Sequence, residues 1–247
     1  MLDFLNKEVK KRDTFNEITI DKPDPLLVVY DNKDEYSALI ISMFSYGRAS
    51  LIVKFLKTLD FSLLEQTENQ IKKELNSLYY RFQDSEDIIN LFISLKRLKN
   101  IDSLENLFYL SYKKDNNVID GITKLISEIY NINNYRKRGY NFLVGAPIVK
   151  LKGGSAYKRW NLYLRWMVRK DKIDLGLWSK VDKKDLIIPL DTHLHAIGTK
   201  LKLLTRKQKD LQAAIELTES LRKLDKSDPV KYDLALYRVG QEKILLK

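Results

Sequence analysis

The sequence predicts an all-α protein. Apolar residues recur at intervals of three and four along most of its length, as on the faces of amphipathic helices. Short breaks rich in Asp, Asn and Ser separate these stretches and supply N-cap and turn chemistry. No glycine-rich loop follows a strand-like run and no Gly-Lys-Ser/Thr phosphate loop occurs, so nucleotide-binding folds have no support.

In chain order, residues 3–12 read as a short polar helix. Asp21-Lys22-Pro23-Asp24-Pro25 is a rigid turn, because each proline pushes its predecessor out of the helical region. Leu26 to Tyr30 make a brief helix. Asp34-Glu35 opens a stronger one, with Leu39, Ile40, Met43 and Phe44 at helical spacing, ending at Tyr46-Gly47-Arg48. Leu51, Ile52, Val53, Phe55 and Leu56 form a further apolar face. Residues 66–82, 86–98, 103–113 and 117–131 read as four amphipathic helices, and 133–143 as a basic one containing Arg136, Lys137 and Arg138. An irregular stretch follows from Gly145-Ala146-Pro147 through Gly153-Gly154. The next helix is expected over about 156–170, with Trp160, Leu164 and Met167 as its buried stripe. Lys158, Leu162, Arg165 and Arg169 lie near one face of it. Trp166 falls between, as core or as the wall of a pocket. Asp174 to Trp178 is a loop with apolar anchors, and Asp185 to Pro189 is extended. Helices over 192–203, 207–224 and 228–240 complete the chain, the last opened by Asp228 with Pro229 at its first position.

The 247 residues suffice for one core or two closely packed lobes. Nothing marks independent domains, so residues 1–247 are expected to form a single unit of function. The absence of cysteine excludes disulfides, zinc–thiolate sites and a thiol nucleophile. No apolar run is long enough to cross a bilayer and no secretory leader is evident, which points to a cytosolic protein that does not engage membranes. Residues 1–130 hold 18 basic and 21 acidic groups, whereas residues 131–247 hold 26 and 12. Within 131–170 there are 10 basic residues and no acidic one. A tract of one sign repels itself unless an anion covers it, so a nucleic-acid backbone is the natural partner. His193 and His195, two apart on a helix, diverge and cannot chelate one metal ion from one face.

Two short segments carry the chemistry. Lys152-Gly153-Gly154-Ser155-Ala156-Tyr157-Lys158-Arg159 is a small-residue turn running into a basic, aromatic helix. Ile188-Pro189-Leu190-Asp191-Thr192-His193 delivers an aspartate to the start of another. Each alone is ordinary, as a phosphate contact and a helix cap. Together they offer an amine and a carboxylate at two helix mouths.

These segments resemble the helix-hairpin-helix DNA glycosylase superfamily, whose hairpin reads roughly Pro-Gly-Val-Gly-x-Lys and is followed downstream by Pro-Val-Asp-Thr-His. Gly154 stands at the first hairpin glycine, Ala156 replaces the second, and Lys158 falls on the nucleophilic lysine. Pro189-Leu190-Asp191-Thr192-His193 places Asp191 on the catalytic aspartate. The spacing of 33 residues between Lys158 and Asp191 is longer than in most of the superfamily and is similar to the archaeal 8-oxoguanine glycosylase branch. The string from Lys158 to Arg169 also looks like an uncharacterised bacterial family related to that branch. Asp233-Leu234-Ala235-Leu236-Tyr237 resembles the C-terminal helix that reads and stacks the oxidised base. Ser45-Tyr46-Gly47-Arg48 ends a helix that in this superfamily meets DNA near the flipped base.

The resemblance implies a two-lobed helical fold with a DNA-binding cleft between lobes, the hairpin and catalytic region spanning 133–203. It implies a bifunctional glycosylase and lyase that excises 8-oxoguanine in base excision repair, acting as a monomer associated with the nucleoid. Its partner is double-stranded DNA containing a damaged base, and it needs no metal or organic cofactor. Asp191 stabilises positive charge developing on the sugar, and Lys158 forms the Schiff base. Partial burial, the adjacent Arg159 and the helix N-terminus disfavour the ammonium form of Lys158. Gly153, Gly154, Ser155, Ala156, Arg159, Arg165, Arg169 and Arg48 are expected to hold DNA. Asp233, Tyr237, Tyr46 and Trp166 are expected around the flipped base. The alternatives are a glycosylase for alkylated or deaminated bases and a hairpin module that binds DNA without chemistry.

Overall fold

The computed structural model describes residues 2–242 and is all-α, with no strand among them. The first helices are α1 (Leu2–Arg12), α2 (Leu26–Asp31), α3 (Glu35–Met43), α4 (Ala49–Leu56), α5 (Glu68–Leu75) and α6 (Ser85–Lys99). There follow α7 (Leu104–Tyr112), α8 (Val118–Ile132), α9 (Arg138–Val144) and α10 (Lys158–Val168). The chain ends in α11 (Thr192–Lys200), α12 (Leu211–Arg222) and α13 (Asp233–Gln241). They fall into two compact units, one formed by Ile20–Ile148 and the other by the residues up to Thr19 together with those from Val149 on.

In the discontinuous unit, α10 is the central helix. From Trp160 to Arg169 only Leu162 is more than marginally accessible, so α10 is enclosed on nearly every side, as helices that are apolar around their circumference are. Its last carbonyls are satisfied by the loop that folds back on it. The Leu175 and Gly176 amides donate to Trp166 O at 3.0 and 3.1 Å, and the Trp178 amide donates to Met167 O at 2.8 Å. Ile173 and Trp178 anchor that loop in the interior, whereas Leu177 is exposed. The N-terminal α1 packs against α13. There the buried Arg12 binds Glu17 at 3.2 Å and Glu242 at 2.5 Å, and Tyr232 Oη donates to Asn6 Oδ1 at 3.1 Å.

The Ile20–Ile148 unit is built around α6. Asp84 and Asp87 form a capping box at its start, each carboxylate accepting from the other residue's amide. Ile88, Leu91, Phe92 and Leu95 fill the interior. On α8, Val118, Ile122, Leu125, Ile126 and Ile129 make one apolar stripe against α7. Burying each such side chain contributes about 1.5–3 kcal/mol. Gly121 lets the two helices approach, since a Cβ there would sit 2.5 Å from the Phe108 ring.

Several expected helices are shorter, and each has a local cause. The helix expected over 66–82 ends at Leu75, although Leu78, Tyr79 and Tyr80 prolong the apolar pattern. Tyr80 and Gln83 instead exchange backbone hydrogen bonds of 3.1 and 2.9 Å across a tight turn, with Arg81 left-handed at φ 61°. The basic helix expected from 133 opens only at Arg138, because Asn133 Oδ1 accepts from the Tyr135 amide in a side-chain turn. Arg136 caps the end of α8, donating to the carbonyls of Tyr130 at 2.7 Å and Asn133 at 2.5 Å. Before α10, Tyr157 is left-handed at φ 50°, so the helix starts at Lys158 rather than Ala156. Asp228 and Pro229 open only a 3-10 turn, and the α-helix begins at Asp233.

Candidate active site

Lys158 and Asp191 are set by rigid neighbours. Lys158 is the first residue of the enclosed α10 and is half-buried. The residue before it is Tyr157, a bulky side chain held left-handed, a strained conformation that concentrates at functional sites. Asp191 follows the buried extended segment from Leu186 to Leu190, which is pinned where the Ile188 amide donates to Thr218 Oγ1 at 3.0 Å. It caps α11, with Oδ1 accepting from the amides of His193 at 2.9 Å and Leu194 at 2.8 Å. Both capping bonds fall on the same oxygen, so Oδ2 takes no part in the cap.

Asp233 joins them. It opens α13 and is 5% exposed. Burial pushes its carboxyl up to about 6, Arg165 pulls it down, Asp191 raises it and Lys158 lowers it. One buried carboxyl therefore lies within Coulombic reach of both residues the sequence pairs. Tyr237, one turn along α13, is half-buried, and its ring meets that of His193 on α11 at 6.1 Å, edge to face. Lys158, Asp191, Asp233 and Tyr237 thus belong to one locality of one unit.

The small-residue loop before α10 is fastened from behind. Asp210, the N-cap of α12, accepts from the Gly153 amide at 2.7 Å and from Arg206 Nη2 at 2.5 Å. The Gln212 amide donates to Leu151 O at 3.1 Å. Arg206 and the amides of Gly153 and Ala213 hold the Asp210 carboxyl well below the usual carboxylate range. The Gly153 amide, expected on phosphate, is thereby committed to Asp210. Ser155 Oγ accepts from the Tyr157 amide at 3.0 Å and helps shape the turn. Gly153, Gly154 and Ser155 are exposed, and Ala156 and Arg159 are half-buried.

Two of the expected DNA contacts are interior residues. Arg165 is 5% exposed; it binds Asp174 through Nε and Nη2, both at 3.0 Å, and Asp233 through Nη1. Arg169 is equally enclosed; it binds Asp228 at 2.9 Å, Asp171 at 2.9 Å and Asp174. Burial opposes both charges, but the carboxylates outweigh it and hold both guanidiniums above their usual value. Neither is presented to a phosphate. Trp166, expected at the base, has no exposed surface and is core. The sequence predicts a helix cap at Asp228 and the start of a loop at Asp174, whereas the structure turns both carboxylates onto these arginines and gives Asp228 no side-chain cap bond. The signal available was two arginines four apart followed within five residues by Asp171 and Asp174.

Tyr46 and Arg48 belong to the Ile20–Ile148 unit. Arg48 is exposed at the start of α4. Tyr46 is half-buried among Tyr80, Phe82 and Phe142, and its hydroxyl donates to Gln83 Oε1. His195 is held against Arg206 O at 2.9 Å, while His193 is exposed. Among the described residues no group of three or more His, Asp and Glu is arranged to hold a metal ion. No helix among them is long and apolar enough to cross a membrane.

No curated protein and no solved structure matches the chain. One family model, described as a protein of unknown function (DUF2400), matches residues 24–242, and the chain belongs to that family.

Proposed function

We propose that the protein is a DNA glycosylase with lyase activity that removes oxidised guanine from duplex DNA, with Lys158 as nucleophile and Asp191 as its electrostatic partner. The observation that carries this reading is that Lys158 opens α10, Asp191 caps α11 and the buried Asp233 opens α13, with α11 packed on α13 and Arg165 of α10 bound to Asp233. The proposal includes the two-lobed helix-hairpin-helix form, with DNA held in a cleft between the lobes.

In this mechanism the ionised Asp191 stabilises the cationic sugar as the bond from C1′ to the base stretches. The Lys158 amine bonds to C1′ as the base departs, and the proton the amine loses leaves with the base. Opening of the sugar ring, with O4′ taking a proton from water, gives a protonated Schiff base. Loss of a proton from C2′ then expels the 3′ phosphate and cuts the strand. Asp233 and Tyr237 offer a polar edge and a ring to the extruded base, as enzymes acting on single bases require. Gly154, Ser155, Ala156 and Arg159 offer the backbone and charge that would hold the phosphates beside it.

The test is an 8-oxoguanine duplex incubated with and without borohydride. Strand cleavage and a trapped covalent complex are expected together. Lys158→Gln abolishes the trapped complex, and Asp191→Asn slows excision by about 100-fold or more. Trapping that persists in Lys158→Gln, or no base release from that duplex, overturns the proposal.

A further inference from the structure

The Ile20–Ile148 unit carries an aromatic cluster that is not closed over. Its inner layer is ordinary core: Phe44 lies 5.0 Å from Phe55, and Phe55 stacks on Tyr80 at 4.4 Å. Tyr80 meets Tyr46 at 5.3 Å, and Tyr46 then meets Phe142 at 4.8 Å and Phe82 at 6.3 Å. Phe82 and Phe142 are 4.9 Å apart and are 44% and 39% exposed. The ring network therefore runs from the interior out to solvent.

Phe82 reaches solvent because of the turn that carries it. Arg81 and Phe82 are the two residues at the tip between the paired Tyr80 and Gln83. A left-handed residue at such a tip favours Gly or Asn, yet here it is Arg81 at φ 61°. A second special residue accommodates it. Gly47, at φ 106°, leaves room for the Arg81 guanidinium, which a Cβ there would strike. Arg81 lies over the Tyr46 ring at 5.2 Å and Arg138 lies over Phe82 at 5.9 Å. Strain retained at an exposed tip, with rings and guanidiniums interleaved, is poor design for stability alone. Solvent-exposed rings flanked by cations that attract a backbone are the chemistry that grips unstacked bases.

We infer that Phe82 and Phe142, backed by Arg81, Arg138 and Tyr46, form a stacking surface for nucleobases that are not paired. The inference deepens the repair reading by naming a second contact with the nucleic acid, but the surface binds whether or not Lys158 performs any chemistry.

The full-length protein is titrated against three fluorescent oligonucleotides: a single strand, a duplex with a central abasic gap and a fully paired duplex. A 2-aminopurine placed beside the gap reports stacking. The double variant Phe82→Ala/Phe142→Ala changes only exposed rings, and circular dichroism verifies that it folds. It is expected to weaken binding of the single strand and the gapped duplex about tenfold or more, and to abolish the 2-aminopurine quenching. Affinity for the paired duplex should change less than about twofold, because the cations stay in place. Phe82→Trp should restore quenching. Lys158→Gln should lose excision yet keep the 2-aminopurine quenching, so loss of excision and loss of stacking are separable failures. Wild-type affinity in the double variant, equal weakening on all three, or no nucleic-acid binding by the wild type overturns the inference.

Discussion

At Asp233 the folded state holds a proton that the unfolded chain releases. An exposed aspartate ionises near about 4, whereas burial carries this one up to about 6 against the pull of Arg165 and Lys158. A raised carboxyl contributes stability that is fully present below its unfolded value and is lost as pH rises through its folded one. The window is therefore about pH 4 to 6. Asp233→Asn cannot titrate. The stability of the wild type relative to this variant should fall between pH 4 and 6 and then stay level, as read from urea unfolding. A difference that is flat across pH 4 to 6 would show that the carboxyl is not raised. Lys158 and Asp191 were legible in the sequence because each sits in a short motif bounded by small residues or proline. The surroundings of Asp233 were not legible, because Arg165 and Lys158 of α10 and Asp191 before α11 reach it from far along the chain.

The same limit explains α10. Its apolar stripe was legible from spacing, and Trp160, Leu164 and Met167 are indeed interior. Spacing also put Arg165 and Arg169 on the face of Lys158, which suggested an outward basic surface. Periodicity shows which side chains share a face but not what that face meets. Here the far end of the face meets Asp174 from the adjoining loop, with Asp228 and Asp233 contributed by the C-terminal segment. Asp174 accepts from both arginines, so removing it leaves two buried guanidiniums short of a partner. Asp174→Ala should cost about 3–5 kcal/mol of unfolding free energy. Lys158→Gln, which alters a half-buried side chain at the helix mouth, should stay within about 1 kcal/mol. Equal midpoints in a urea titration of the two variants would contradict the network's role. The helix expected over 76–82 and absent there has a related cause, since Leu78 to Tyr80 continue a helical pattern although the chain turns at Arg81.

Across the whole molecule, formal charge overstates what a polyanion can meet. Of the 10 basic residues between 131 and 170, Arg165 and Arg169 are neutralised inside, and Arg136 is tied to the carbonyls that end α8. Lys150 and Lys152, by contrast, are exposed on the loop that leads to Lys158. Each cation that neutralises a phosphate on binding releases about one counterion, which sets the slope of log affinity against log salt. Lys150→Gln/Lys152→Gln should therefore reduce that slope by about 2. Affinity should fall by a similar factor on every duplex, damaged or not, because phosphates carry no sequence or lesion information. Thermal stability should be unchanged, since neither lysine is part of the packed interior. Anisotropy titrations at three or more salt concentrations would measure all of this. An unaltered slope would mean that the polyanion approaches from elsewhere. A loss confined to the damaged duplex would mean that these lysines sense the lesion rather than the backbone.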